Sequence, residues 1–147
     1  MAALTDPDAS VRQVALWAIQ ALDEIRAFDA SLAALSDADA GVRGAAIGCL
    51  NDIGDPRAAS PIADMLTDPD ADVRASAAAA LGSLGDDSAI APLEELAAHD
   101  TSVRQPFNRQ VAITAHFALE RIRERLRRRN ESSGASSDLR GPMEGEN

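Results

Sequence analysis

Asp68, Asp70 and Asp72 stand at alternate positions in the stretch "DPDADVR". Alternating carboxylates open a calcium-binding loop, which also needs Gly at its sixth position and a bidentate Glu at its twelfth. Here those positions hold Val73 and Ala79, so the aspartates are left to form turns, accept hydrogen bonds and cap helices. His99 and His116 are the only histidines, and two lone histidines do not make a metal site. Cys49 is the single cysteine and occupies a position where Ala otherwise recurs, which predicts a small buried residue rather than a nucleophile. There is no G-x-S-x-G elbow, glycine-rich phosphate loop or basic-aromatic stripe. The residues predict no catalytic site, no metal and no cofactor.

The same heptapeptide explains itself by recurrence. "DPDASVR" stands at 6–12 and "DADAGVR" at 37–43, so the interval is 31 residues. At that interval Val11-Arg12, Val42-Arg43 and Val73-Arg74 coincide, as do Ile19, Leu50 and Leu81, and Leu22, Ile53 and Leu84. Ala15, Ala46 and Ala77 form a small column, and Leu4, Leu35 and Leu66 close the preceding segment. Each unit carries two helical patterns. The second starts at Val-Arg, with an apolar stripe at 11, 15, 18, 19 and 22. Ser10, Gly41 and Asp72 precede it as expected N-caps, and Gly54 and Gly85 follow it as expected left-handed C-caps. The first helices read at 57–66 and 88–97, with Pro61 and Pro92 in or near the first turn, where a missing N–H costs least. One such pair cannot bury its own stripe; stacked copies bury one another's.

A 31-residue period of helix pairs written "DPDADVRASAAAALGSLGD" resembles the HEAT repeat, in particular the short type named after phycobilisome lyases, over about residues 4–122. The resemblance implies an all-α fold, a right-handed α-solenoid whose second helices line the concave side. It also implies a ladder between neighbouring repeats, with Asp6 paired to Arg12, Asp37 to Arg43 and Asp68 to Arg74. A related family, deoxyhypusine hydroxylase, binds iron through repeated His-Glu pairs; this sequence has none.

The last repeat departs from the period. "NRQVAITAHFALERI" at 108–122 parallels "VRQVALWAIQALDEI" at 11–25 at a shift of 97, three periods plus four. Pro106 makes Val103-Arg104 a poor helix start, so the last helix is expected from Asn108 to Arg129, with Arg109 in the Arg column and His116 in the column of Ile19. The first repeat lacks most of its first helix. The domain reading is a repeat domain at 1–129 and a Ser-, Gly- and acid-rich disordered tail at 130–147.

At 147 residues the chain is one domain's length, and its Ala-rich, aromatic-poor composition suits closely packed helices. No apolar run reaches the roughly 18 residues of a membrane span, and no signal peptide is read at the N-terminus, so a cytoplasmic protein is expected. Residues 1–119 hold 7 Arg against 18 Asp and Glu, and the chain has no Lys. Salt adaptation and a GC-rich genome both account for this. An acidic body argues against nucleic acid or an anionic membrane as partner. The exception is "RIRERLRRR" at 121–129, which reads as a solvated helix face favourable to the helix dipole, or else as a nucleic-acid contact.

The exposed faces of the second helices carry the functional expectation. They comprise Gln13, Trp17 and Gln20 in the first copy, Gly44, Gly48 and Asn51 in the second, Ala75, Ala79 and Gly82 in the third, and Thr114 and Phe117 in the last, with Asp55 and Asp86 on the rim. Trp17 and Phe117 bracket a floor of Gly and Ala. Gly inside a helix costs about 1 kcal/mol against Ala, so a reason is expected for it; close approach of a ligand is one. The expected function is a non-catalytic scaffold that binds a segment of another protein. A bilin lyase or chaperone subunit, which the resemblance implies, is the alternative, followed by nucleic-acid binding through the Arg run.

Overall fold

The computed structural model describes residues 2–99 and 108–135, and every regular element among them is helical. The helices are α1 (Ala9–Leu22), α2 (Glu24–Ala34), α3 (Ala40–Ile53), α4 (Ala59–Asp64), α5 (Ala71–Leu84), α6 (Ile90–His99) and α7 (Asn108–Ala135). Short 3-10 segments precede α1 (Ala2–Thr5), flank α4 (Pro56–Ala58 and Met65–Thr67) and lead into α6 (Asp87–Ala89). Helix α2 packs on α3, α4 on α5 and α6 on α7, while α1, α3, α5 and α7 stack side by side. This is the all-α solenoid of helix pairs that the 31-residue period predicts. Pro61 and Pro92 each stand third in their helix, inside the first turn.

The helix starts differ from the expected ones by two residues. The N-caps are Asp8, Asp39 and Asp70, not Ser10, Gly41 and Asp72. Asp8 accepts from the Ser10 N–H at 2.8 Å, Asp39 from Val42 at 3.1 Å, and Asp70 from Asp72 and Val73 at 2.9 and 3.2 Å. A carboxylate satisfies orphan N–H groups and faces the positive end of the helix dipole, which a Gly cannot do. At the other end only Gly54 is left-handed, with φ 74°. Gly85 has extended backbone, φ −65° and ψ 151°. It is needed for space: a Cβ there would meet the Leu81 carbonyl oxygen at 2.6 Å and Ala89 Cβ at 3.0 Å.

The core runs down the stack in columns. Val42, Ala46, Leu50, Val73, Ala77 and Leu81 are fully buried, and Ala27, Ala58 and Ala89 form a matching column on the first helices. Ser31 is buried in the column of Ile62 and Leu93. Cys49 is buried too, and burial pushes its thiol up, with the Ser31 side chain acting in the opposite direction.

Two expectations about the ends are corrected. In α7 the buried residues are Val111, Ala112, Ala115, Ala118, Leu119 and Ile122, and all but Ala112 keep the spacing of Val42, Ala46, Cys49, Leu50 and Ile53. The register is therefore three residues later than the sequence parallel: Leu119, not His116, takes the column of Leu50, and Ala112, not Arg109, takes the Arg column. His116 is exposed. The sequence match follows residue identity, whereas packing follows the apolar stripe, and "VAITA" permits both. Helix α7 also continues past Arg129 to Ala135. The segment holding Val103, Arg104 and Pro106, and the tail from residue 136, lie outside the described residues. In α1 the expected stripe is largely exposed. Only Leu16 is fully buried, while Val11 and Leu22 are 39% and 86% exposed.

Candidate functional site

The Asp-Arg motif makes a connected ladder, with a different wiring from the one expected. Arg12 does not pair with the Asp6 carboxylate. Its Nη1 donates to the backbone carbonyls of Asp6 at 2.7 Å and Pro7 at 3.2 Å, and its Nε and Nη2 fork onto the Asp37 carboxylate at 2.8 and 2.7 Å. Arg43 repeats this one unit on, with Asp37 and Ala38 carbonyls at 2.9 and 3.2 Å and the Asp68 carboxylate at 2.7 and 2.8 Å. Arg74 donates to the carbonyls of Asp68 and Pro69 at 2.8 and 3.1 Å; the next turn lies outside the described residues. Each guanidinium thus clamps its own turn through carbonyls and the next turn through a carboxylate 25 residues ahead. The planar fork of Arg fits a carboxylate bidentately, which Lys cannot do.

Each ladder carboxylate also accepts a backbone N–H two residues on, Asp37 from Asp39 and Asp68 from Asp70, both at 2.8 Å. These bonds, led by the Arg side chain, hold both carboxyls below the ordinary 3.8. Their folded pKa lies below the unfolded one. The linked stability is therefore fully present above the unfolded pKa and is lost as pH falls through the folded one. Thermal midpoints are expected to be level from about pH 7 to 5 and to fall below about pH 4. The double variant Asp37→Asn, Asp68→Asn should start lower and lose less over the acid range. An equally steep acid loss in that variant would remove the ladder as its source.

The proposed binding face lies on the solvent side of α1, α3, α5 and α7. In the corrected register Trp17, Gly48, Ala79 and Phe117 share one column, and all four are exposed, Trp17 to 52% and Phe117 to 65%. Ile113 replaces Thr114 beside Phe117 and is exposed; the Thr114 hydroxyl donates to the Gln110 carbonyl at 2.8 Å within α7. Gly44 and Gly48 would have open space around a Cβ. Gly82 is buried, because α7 crosses it: a Cβ there would meet Ala118 Cα at 3.1 Å and Cβ at 3.2 Å. Its glycine serves helix packing, not a ligand floor. The Gln13 side chain lies over Gly41, and the Gln20 amide donates to Asp52 at 3.3 Å. Asn51 Oδ1 is sheltered from solvent with no hydrogen-bond partner among the described residues.

Asp55 and Asp86, expected on the rim, cap the 3-10 turns that lead into the first helices. Asp55 accepts from the Arg57 N–H at 2.9 Å and guanidinium at 2.6 Å, and Asp86 from the Ser88 N–H at 2.9 Å and hydroxyl at 2.6 Å. Arg57 also lies 4.6 Å from the centroid of Phe28. The Arg run is similarly engaged within the chain. Arg123 pairs with Glu94, Arg127 and Arg128 with Glu124, and Arg125 donates to the Ser83 and Gly85 carbonyls at the end of α5.

Among the described residues no group of three or more His, Cys, Asp or Glu is arranged to hold a metal ion, and no helix is long and apolar enough to cross a membrane. No curated protein matches the chain. Among solved structures it is similar to a chain in the complex of CpcE and CpcF of phycocyanin lyase from Nostoc sp. PCC7120, at 30% identity and a TM-score of 0.70. The match covers 82% of this chain and 51% of that one, so the chain spans about half the length of the relative. Residues 1–79 and 29–115 match the family model described as HEAT repeats. With the 31-residue period, the paired helices and the Asp-Arg ladder, this match shows that the chain belongs to the HEAT-repeat family.

Proposed function

We propose that the chain is a non-catalytic scaffold that holds a segment of another protein along the exposed face of α1, α3, α5 and α7. The supporting observation is the shared column: two of the chain's four aromatic residues, Trp17 and Phe117, stand exposed at opposite ends of it, with Gly48 and Ala79 between them. Exposed aromatics flanking a shallow floor are what a partner's apolar anchors seek, and Trp is enriched at binding hot spots. Free-protein Trp emission should be red-shifted and readily quenched by acrylamide. Trp17→Ala should weaken the partner captured from the native host by about 2 kcal/mol or more, roughly 30-fold in Kd, while leaving the melting temperature nearly unchanged. Blue-shifted, unquenchable emission in the free protein would remove Trp17 from the face.

The second reading is a subunit of a bilin lyase or bilin chaperone, favoured by the likeness to a chain in the phycocyanin lyase complex. Its test is incubation with a bilin and the phycobiliprotein acceptor. Chromophore transfer dependent on this chain would place the lyase reading first; unaltered absorption leaves the scaffold.

A further inference from the structure

The face that carries Trp17 and Phe117 changes sign along its length. Every cation on α1, α3 and α5 is a ladder arginine: Arg12, Arg43 and Arg74 are turned onto carbonyls or carboxylates of the inter-helix turns. The charge these three helices leave exposed is carboxylate, Asp72 and Asp52. Asp52 stands one turn beyond Gly48 and accepts from the Gln20 amide at 3.3 Å. Helix α7 reverses the sign. Ile113, Phe117 and Arg121 follow one another at single-turn spacing and are all exposed. Arg121 makes no hydrogen bond or ion pair among the described residues. Its stem lies over Gly82, with Cδ 3.8 Å from a Cβ placed there. Beside it a cleft of about 700 Å³ opens between Gly82 and α7, and its lining carries five arginines, Arg121 and Arg125 among them, against Glu120 and Glu124. That cleft is therefore net positive, in a chain whose net charge is −10.

We infer, resting on the scaffold reading above, that the segment held on this face belongs to another protein and is bipolar in charge. Apolar side chains lie over Trp17 and over Ile113 and Phe117, lysine or arginine meets Asp52, and aspartate or glutamate enters the cleft beside Arg121. The two aromatics stand three helix-to-helix steps apart, about 27 Å at ordinary packing distances. An extended segment of about eight residues covers that span, or a helix of about 18. A uniformly basic segment, which the overall charge favours, would meet its own sign at α7, and a uniformly acidic one would meet it at α3. Only opposite charges at the two ends satisfy both.

The probe is a phage-displayed library of random peptides about 20 residues long, selected on the full chain and counterselected on Trp17→Ala, with the chosen peptides then titrated in solution. They should carry basic and acidic residues at opposite ends around apolar anchors. Arg121→Glu should weaken them about tenfold or more, and Arg121→Gln less, in the same direction. Reversing the charge of the peptide's acidic end, not of its basic end, should restore most of the loss to Arg121→Glu. Asp52→Lys should behave as the mirror image, restored only by reversing the basic end. Arg129→Glu makes the same charge change about two turns further along α7 and should cost under about threefold. Trp17-dependent peptides of a single sign, or ones indifferent to Arg121→Glu, or ones weakened equally by Arg129→Glu, overturn the inference and leave the scaffold reading standing. A library that yields no Trp17-dependent peptide removes both. Sedimentation of the chain as a concentration-dependent dimer that Trp17→Glu dissociates would make the occupant a second copy and also overturns it; a monomer is expected.

Discussion

Gly82→Leu is expected to destabilise the fold by about 3 kcal/mol, the upper range for over-packing a close-packed interior. The position is buried where α5 and α7 cross, and even a Cβ would stand 3.1 Å from Ala118 Cα. The neighbour is backbone, so no side-chain rotation relieves the contact, and the helices must separate along the columns Leu81 and Leu119 share. Gly48→Leu is the matched control. A Cβ at Gly48 meets nothing within 4 Å, and removing a helical glycine recovers part of the roughly 1 kcal/mol that Gly costs against Ala. Urea unfolding of the two variants should move in opposite directions or, for Gly48→Leu, hardly at all. Equal losses would mean that the α3 face is packed and is no binding floor.

Arg43→Ala should cost about 2 kcal/mol, lowering the thermal midpoint by roughly 5 °C. The Asp68 side chain is only 4% exposed, so truncation leaves a sheltered carboxylate with its backbone bond but without the guanidinium forked onto it. Leaving a charge unpaired is costlier than never placing it there. Arg43→Lys should recover less than half, since an ammonium cannot fork onto Asp68 while reaching the carbonyls of Asp37 and Ala38. A lysine variant as stable as the parent would show that charge alone, not the planar fork, joins the units. In either case binding along the Trp17 column should persist at temperatures where the variant is folded, because the ladder lies in the turns and the aromatics lie on the helix faces.

These two expectations divide the molecule by role. Arg12, Arg43 and the buried columns join one repeat to the next, while Trp17, Gly48, Ala79 and Phe117 stay on the solvent side of that framework. A rigid stack with an exposed, sparsely decorated face is suited to holding an extended partner, since little of the scaffold has to be ordered on binding.

The 31-residue period, the helix pairs and the all-α class are legible in the sequence because they are written by local rules: apolar spacing, turn aspartates and small residues repeat at fixed intervals, and only stacking buries such stripes. The type of the ladder residues is legible for the same reason. What each residue meets is not. Arg12 and Asp6 are near in sequence, yet the fork closes on Asp37, because the guanidinium leaves α1 toward the next turn and only carbonyls of its own turn lie within reach. The caps fall on Asp8, Asp39 and Asp70, since an Asp side chain bonds an N–H two or three residues on, and the helix starts where that bond is made. The register of α7 was decided by burying Val111, Leu119 and Ile122, a choice between two apolar phases that residue identity ranked in the other order. The same logic separates Gly82 from Gly48. Both are helical glycines on one expected face, and only the crossing of α7 over α5 makes the first a packing contact and leaves the second open.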